Sequence, residues 1–196
     1  MNRPGNVVPF SFDLSVLVQR SVASLYSHLV TRPTGRALRL GIESQIGELG
    51  EACLSVLDFT QVVVLDYSCA DEAVAKLLQR FLGPDRPADA YFVARGLGEQ
   101  HCEPIEVVLE RQRLSLVVER SGGFDLLGYA APLERAAWHV VERSRSNNTD
   151  GVAGTLGVDS AVVDGAMEAL MSRRVLVPVP GQQRTVRALS SFLSDA

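Results

Sequence analysis

The residues with the richest chemistry lie around a serine at the predicted start of a helix. Ser68 follows Asp66 and precedes Asp71 and Glu72, and apolar residues then recur at helical spacing, at Val74, Leu77, Leu78 and Phe81. The first backbone N–H groups of a helix lack intrahelical partners, and the helix macrodipole is positive at that end. A hydroxyl at this position can therefore acquire negative charge that the helix start stabilises.

Two plainer interpretations stay open for the same residues. Serine and aspartate are common N-caps, so Ser68 can be a cap alone, with Asp71 and Glu72 complementing the dipole. Asp58 and Asp66 can also be considered as a catalytic pair, but the sequence places no histidine, metal-binding set or glycine-rich phosphate loop beside them. An enzyme is therefore the third choice among the function classes, and no catalytic residue, metal or cofactor is expected.

The elements that must position Ser68 alternate between strand and helix. A buried strand ends near Asp58, a short apolar stretch leads to Asp66, and the helix that follows ends at Gly83-Pro84. Thr34 is the predicted N-cap of an earlier helix. The first predicted helix is at 14–29, and its tail, 26–31, can instead be extended. The elements that follow are the helix that Thr34 caps, a strand at 53–59, a helix at 70–82, a strand at 90–94, a helix at 99–112 and a strand at 114–118. This alternation predicts an α/β sandwich with helices on a small central sheet.

The pattern changes after Ser121-Gly122-Gly123 and Pro132. These residues predict a linker at 121–131 between two domains with separate cores, at 1–120 and 132–196. The second domain is predicted to contain helices at 133–144, 149–156 and 160–173 and a hairpin at 175–187. Three helices and a hairpin in this order resemble a winged helix covering residues 131–192.

A winged helix that reads DNA needs basic residues on the exposed face of its recognition helix. The exposed positions expected here are small or acidic: Ser160, Ala161, Asp164, Gly165 and Glu168. Four arginines from the helix end and the hairpin are the candidates for nucleic-acid contact: Arg173, Arg174, Arg184 and Arg187. Residues 132–196 hold seven arginines, no lysine and seven acidic residues, so they carry no net charge. Protein contact is favoured over DNA contact on this ground.

Composition limits the class of protein further. The 196 residues are 46% hydrophobic with a formal net charge of -4, which gives no electrostatic bias towards nucleic acid or an anionic membrane. We find no signal-peptide core near the N-terminus and no apolar run of membrane-spanning length, and therefore expect no membrane partner and a cytoplasmic location. Cys53, Cys69 and Cys102 lack the paired spacing of a metal site or disulfide framework, so buried thiols are expected.

Two stretches carry a family resemblance. Asp58-Phe59-Thr60-x-Val62 and the run 66–72 resemble the signature of STAS domains, the fold of anti-sigma-factor antagonists. The similarity is closer still to a bacterial STAS-like branch of unknown function, in which a run like Thr34-Gly35-Arg36-Ala37-Leu38-Arg39 opens an earlier helix. The resemblance implies a STAS-like fold for residues 1–120. It also maps Ser68 onto the serine or threonine that STAS antagonists present to a partner kinase.

Together these features predict a non-enzymatic bacterial regulator that acts by binding another protein. The partner would be a serine kinase, an anti-sigma factor or another regulator, and phosphorylation of Ser68 would switch the binding. The residues expected to form the binding surface are Ser68, Asp66, Tyr67, Asp71, Glu72 and Asp58. The alternative is a transcriptional regulator whose winged helix binds DNA while the STAS-like domain senses a signal. Self-association of the chain also stays open.

Overall fold

A computed structural model describes residues 8–13, 28–49 and 52–193. The first two thirds of the chain are mixed α/β. In chain order the elements are β1 (Val8–Asp13), β2 (His28–Leu29), α1 (Arg32–Leu49), β3 (Cys53–Asp58), β4 (Val64–Leu65), α2, β5 (Ala90–Arg95), α3 (Glu99–Arg111), β6 (Ser115–Arg120) and β7 (Gly123–Gly128). Helix α2 is continuous through Tyr67–Ala70, a π-helical turn at Asp71–Ala75, and Lys76–Leu82.

The main sheet has the strand order β1-β3-β5-β6-β7. The first four strands are parallel, and β7 pairs antiparallel with β6 over six residues. Crossovers between parallel strands are right-handed in nearly all proteins, so strands that follow one another in sequential order have their connecting helices on one face of the sheet. Helices α1, α2 and α3 accordingly share one hydrophobic cluster with the sheet, which includes Ile42, Leu57, Leu77, Phe92, Ile105 and Leu116.

The opposite face of the sheet is covered by the C-terminal third of the chain. This part consists of α4 (Pro132–Ser144), β8 (Ser146–Asn148), α5 (Thr149–Leu156), α6 (Ser160–Ser172), β9 (Leu176–Pro178), β10 (Thr185–Ala188) and a 3₁₀ turn at Leu189–Phe192. Its three strands form an antiparallel sheet in the order β8-β10-β9. A second hydrophobic cluster joins the main sheet to these helices and includes Leu54, Val93, Val117, Leu126, Trp138, Val163 and Leu170.

The segment predicted to be a linker, residues 121–131, forms part of the main sheet. Gly123 has φ +138° at the hairpin turn, and Gly128 has φ +87° at the end of β7. A Cβ on Gly128 would lie 2.6 Å from Leu109 Cβ, so this glycine permits close approach of α3. The glycines mark the two ends of a strand, and the prediction of a linker there is wrong.

The expectation of two separate cores is also wrong, because Leu54, Val93 and Val117 pack with residues of α4 and α6 in one cluster. Strand side chains alternate between faces, so β3, β5, β6 and β7 each contribute to both clusters. Sequence patterning revealed a change of pattern after the segment 121–131 but not the face on which the later helices pack.

Several predicted elements appear with nearly the expected bounds, including β3, β5, α3 and α6. Of the predicted helix at 14–29, residues 14–27 lie outside the described part, and His28–Leu29 form a strand, as the extended alternative for 26–31 anticipated. Helix α1 begins at Arg32, two residues before the predicted cap. The hydroxyl of Thr31 accepts from the backbone N–H of Thr34, at 3.3 Å, so Thr31 caps this helix.

Candidate functional site

Two parallel strand–helix turns lie side by side and bring the candidate residues together. Strand β2 leads into α1 and β4 leads into α2, and the two strands pair in parallel, with Leu29 opposite Leu65. Both leucines are buried, which anchors the pair in the core. The backbone N–H of Asp66 donates to Leu29 O at 3.0 Å. The two helices therefore begin next to each other.

Asp66 and Ser68 form a compact arrangement at the start of α2. Asp66 is the N-cap, and its Oδ1 accepts from the backbone N–H of Cys69 at 2.7 Å. The half-buried Ser68 hydroxyl donates to both carboxylate oxygens of Asp66, at 2.9 and 3.1 Å. The helix therefore starts at Tyr67, three residues before the predicted position. The hydroxyl has a carboxylate beside it that can accept its proton.

Gly35 explains how α1 reaches this site. A Cβ at position 35 would lie 2.9 Å from Cys69 O and from Glu72 Cβ, and 3.0 Å from Cys69 Sγ. Only a residue without a side chain permits this approach of the two helices. Cys69 is fully buried by the contact, and burial raises the pKa of its thiol to about 12, with Asp66 and Glu72 adding to the effect. The thiol is thus kept protonated and inaccessible, as the sequence predicts for this cysteine.

Asp71 and Glu72 do not face outward as a free acidic pair. Arg32 Nη1 donates to Asp71 Oδ2 at 2.8 Å and to Glu72 Oε1 at 3.0 Å. Lys76 bonds the same Glu72 oxygen, and Gln112 Nε2 donates to Asp71 Oδ1 at 2.6 Å. Glu72 is only 4% exposed. The two carboxylates are therefore compensated within the fold, and Glu72 is unsuited to direct contact with a partner.

The pKa values of these carboxyl groups reflect the same contacts. Burial by itself raises the pKa of Asp71 and of Glu72, since it disfavours the charged form. Hydrogen bonds outweigh burial in both cases, from Arg32 and Gln112 to Asp71 and from Lys76 and Arg32 to Glu72. The net pKa of each group is lowered, so both are ionised at neutral pH.

A groove of about 550 Å³ opens beside Ser68, between α2 and α3. Its lining combines polar groups from three helices with two valines: Arg32, Tyr67, Ser68, Asp71, Val107, Val108, Arg111 and Gln112. Arg32, Arg111 and Gln112 were not among the candidates from sequence. The spacing of Val107, Val108, Arg111 and Gln112 on one helical face is the signal that could have found the α3 wall.

Exposed apolar residues lie at or just before the starts of α1 and α2. Tyr67 is 47% exposed, and Val30, Val63 and Val64 are exposed as well. The pairing of β2 with β4 places Val64 and Val30 on the outer side, because Leu29 and Leu65 point inward. The Tyr67 hydroxyl donates to Glu103 Oε1 at 2.9 Å, and this bond raises the pKa of the tyrosine. We call the surface formed by Val30, Val63, Val64 and Tyr67 the valine patch.

Asp58 has a local role at the end of β3. Its Oδ1 accepts from the backbone N–H of Thr60 at 2.9 Å and from the Thr60 hydroxyl at 2.5 Å. Gly96, which follows β5, lies so close to this turn that a Cβ there would collide with Thr60. Asp58 therefore shapes the turn after the strand. It does not line the groove at Ser68.

The arginines considered for nucleic-acid contact are engaged within the chain. Arg173 forms a bidentate pair with Glu134, at 2.8 and 3.1 Å, and lies over the ring of Tyr129. Arg174 Nη1 donates to Ala90 O at 2.7 Å. These two side chains are 15% and 14% exposed; Arg173 joins the end of α6 to α4, and Arg174 joins it to the main sheet. Their donors are used in packing within the chain, and their contact with nucleic acid stays a prediction.

Arg184 and Arg187 are also held by neighbours. Arg184 Nε donates to Asp164 Oδ1 at 2.8 Å, and Arg187 lies 4.3 Å from the centre of the Phe192 ring. The hydrogen bond between Arg184 and Asp164 lowers the pKa of the Asp164 carboxyl and raises the pKa of Arg184. Asp164 thus compensates the charge of Arg184.

Comparison of the chain with models of protein families and with curated proteins gives no match. Within residues 8–13, 28–49 and 52–193, no helix is both long and apolar enough to cross a membrane. Over the same residues, no group of three or more histidine, cysteine or carboxylate side chains converges as a metal site. The geometry at the start of α2 is therefore the basis for assigning a function.

Proposed function

We propose that this protein is a non-enzymatic bacterial regulator that binds a protein partner through the valine patch and is switched by phosphorylation of Ser68. The observation that carries the proposal is the position of the patch: exposed Val63, Val64 and Tyr67 immediately precede Ser68, whose hydroxyl is partly accessible. Exposed apolar patches on folded proteins mark surfaces that contact other proteins. Binding and modification would then share one surface.

The arrangement at Ser68 suits phosphoryl transfer from a nucleoside triphosphate held by a partner kinase. The Ser68 oxygen would form the new bond to the γ-phosphorus while the nucleoside diphosphate leaves. The hydroxyl proton would pass to the Asp66 carboxylate, to which it is already bonded at 2.9 Å. The added phosphate brings a charge of about -1.5 to -2 at pH 7, which an apolar interface excludes.

The resemblance of the two sequence stretches to STAS domains supports this proposal. Two residues of the runs 34–39 and 66–72 have local roles, since Gly35 permits the α1–α2 contact and Asp66 caps α2. The order α4-β8-α5-α6-β9-β10 resembles a winged helix, which we propose as a cover for the sheet. We favour a protein partner over DNA, because Arg173, Arg174 and Arg184 are paired internally.

A matched pair of surface variants tests the location of the binding surface. Val63 on the patch and Val162 on α6 are 55% and 54% exposed, so Val63→Asp and Val162→Asp add the same charge at sites of equal accessibility. Affinity capture from the native cell with quantitative mass spectrometry would identify candidates, and calorimetry with the purified partner would give affinities. We expect Val63→Asp to weaken binding at least tenfold and Val162→Asp to leave it unchanged. The opposite pattern would assign binding to the C-terminal face.

The switch is tested with the same purified partner. Ser68→Asp should abolish binding and Ser68→Ala should retain it, while both variants keep a thermal midpoint within a few degrees of the unmodified protein. If Ser68→Asp unfolds the protein or binds normally, Ser68 is a structural residue and the switch is refuted.

A further inference from the structure

The groove beside Ser68 contains arginine donors that the fold leaves unused. Arg32 makes both of its carboxylate contacts through Nη1. No hydrogen bond or ion pair within the described residues involves its Nη2 or Nε, and its side chain is 54% exposed. Arg111, on the opposite wall, has no hydrogen bond or ion pair to any described residue. A guanidinium has five N–H donors in a planar fork, so both walls offer free donors to an anion.

The anionic residue in the groove does not cancel these donors. The Asp71 carboxylate accepts from Arg32 and Gln112, and Lys76 Nζ lies 3.6 Å from its Oδ2. Lys76 also bonds Glu72. If Arg32 turns some of its N–H groups towards a ligand, Lys76 therefore still pairs with both carboxylates. The Asp66 carboxylate, which the Ser68 hydroxyl contacts, opposes a phosphate at position 68, so the two guanidinium groups must outweigh it there.

We infer that Arg32 and Arg111 form a clamp for a phosphate monoester in the groove that Ser68 lines. Arginine pairs of this kind suit a phosphate group, because two N–H donors of one fork meet two of its oxygens. The start of α2 adds a favourable dipole. The phosphate group has two sources, namely phosphoserine at position 68 or a free phosphate monoester. The first source depends on the function proposed above and the second does not.

The covalent source is tested without a kinase or a partner, by incorporating phosphoserine at position 68 of the full chain and following its ³¹P resonance against pH. The second pKa of phosphoserine is about 6, and a clamp of two guanidinium groups should lower it by about 1 unit. Arg111→Ala should return the pKa to its ordinary value. Arg143→Ala, which removes an exposed arginine of α4, should change nothing. Arg32→Lys keeps the charge that pairs with Asp71 and should give an intermediate pKa.

The free source is tested on the unmodified chain by titrating O-phosphoserine and inorganic phosphate into ¹⁵N-labelled protein. Binding should shift the resonances of Ser68, Gln112 and the Arg111 side chain, and Arg111→Ala should weaken it about tenfold. A lowered phosphoserine pKa that Arg111→Ala reverses would establish the covalent source. Saturable binding that Arg111→Ala weakens would establish the free source. An ordinary phosphoserine pKa together with no saturable binding would overturn the clamp, whether or not Ser68 is phosphorylated in the cell.

Discussion

Asp66 performs two tasks at the start of α2. One of its oxygens accepts from the Cys69 N–H, and both accept from the Ser68 hydroxyl. The carboxylate therefore fixes the helix start and the direction of the serine together. Ser68 depends on Asp66 for its orientation, whereas the cap requires only the aspartate.

This asymmetry gives a prediction for single substitutions. Asp66→Ala should lower the free energy of unfolding by about 1 kcal/mol, the usual cost of losing an N-cap. Ser68→Ala should cost less, because the Cys69 N–H keeps its acceptor. Urea unfolding of the two variants measures the difference. An equal or larger loss for Ser68→Ala would show that the serine hydroxyl itself maintains the helix start.

Glu72 makes the stability of the protein depend on pH. Its folded-state pKa lies below the ordinary value of about 4.3, because the bonds from Lys76 and Arg32 outweigh the effect of burial. A depressed pKa contributes stability above the unfolded-state pKa, and this stability is lost as the pH falls through the folded-state value. We expect Glu72→Gln to be less stable at pH 7 and to lose less of its stability between about pH 5 and 3. The measurement is the urea midpoint across this pH range for the unmodified protein, Glu72→Gln and the exposed control Glu110→Gln. If the midpoints of all three proteins change with pH in parallel, Glu72 is not the source of the pH dependence.

Among elements, the α1–α2 contact is what assembles the site. It places Arg32 beside Asp71 and buries Cys69. The contact depends on Gly35, where a Cβ would meet backbone and side-chain atoms of α2. Helix α2 is packed on both sides, since α3 lies along its other face. This explains why four consecutive residues, Glu72–Ala75, are buried.

Gly35 and Gly47 provide a matched pair within α1. Gly35→Ala should destabilise the protein by about 1–3 kcal/mol, since an added methyl group meets α2 at under 3 Å. Gly47→Ala meets nothing within 4 Å and should stabilise the helix by about 0.5–1 kcal/mol. Thermal unfolding of both variants tests the pair. Stabilisation by Gly35→Ala would show that the two helices can separate at little cost.

In the whole molecule, the main sheet lies between two helical layers that come from different parts of the chain. Its crossover helices cover one face, and residues 132–193 cover the other. Arg174 fastens the second layer through Ala90 O and Asp89. The C-terminal third is therefore required to bury Leu54 and Val93.

The shared cluster predicts cooperative unfolding of the full chain. Trp138 is the only tryptophan and is fully buried in this cluster, so its fluorescence reports on the second layer while far-UV circular dichroism reports on all helices. The two unfolding curves should coincide. A chain ending at residue 130 should expose the second face of the sheet, bind a hydrophobic dye and aggregate. Separate transitions, or a stable soluble fragment 1–130, would show that the two parts fold independently.

The sequence by itself determined the features that depend on neighbours along the chain. Helical spacing located α3 and α6, apolar runs located β3 and β5, and the apolar spacing after Ala70 located α2 to within three residues of its start. Ser68 was identified correctly as a helix-start residue for the same reason. Whether Ser68 is modified and which partner binds stay predictions.

Only the tertiary structure decided which residues face Ser68 and which surfaces are free. Arg32 and Arg111 are 36 and 43 residues away in the sequence, and they reach the groove because α1 and α3 pack on either side of α2. The arginines near residue 173 looked available because their acidic and aromatic partners are distant in the chain. Local periodicity encodes which face of an element is apolar, but it does not encode the element against which that face packs. This is the physical reason that the expected linker and the two separate cores were replaced by a strand and a shared core.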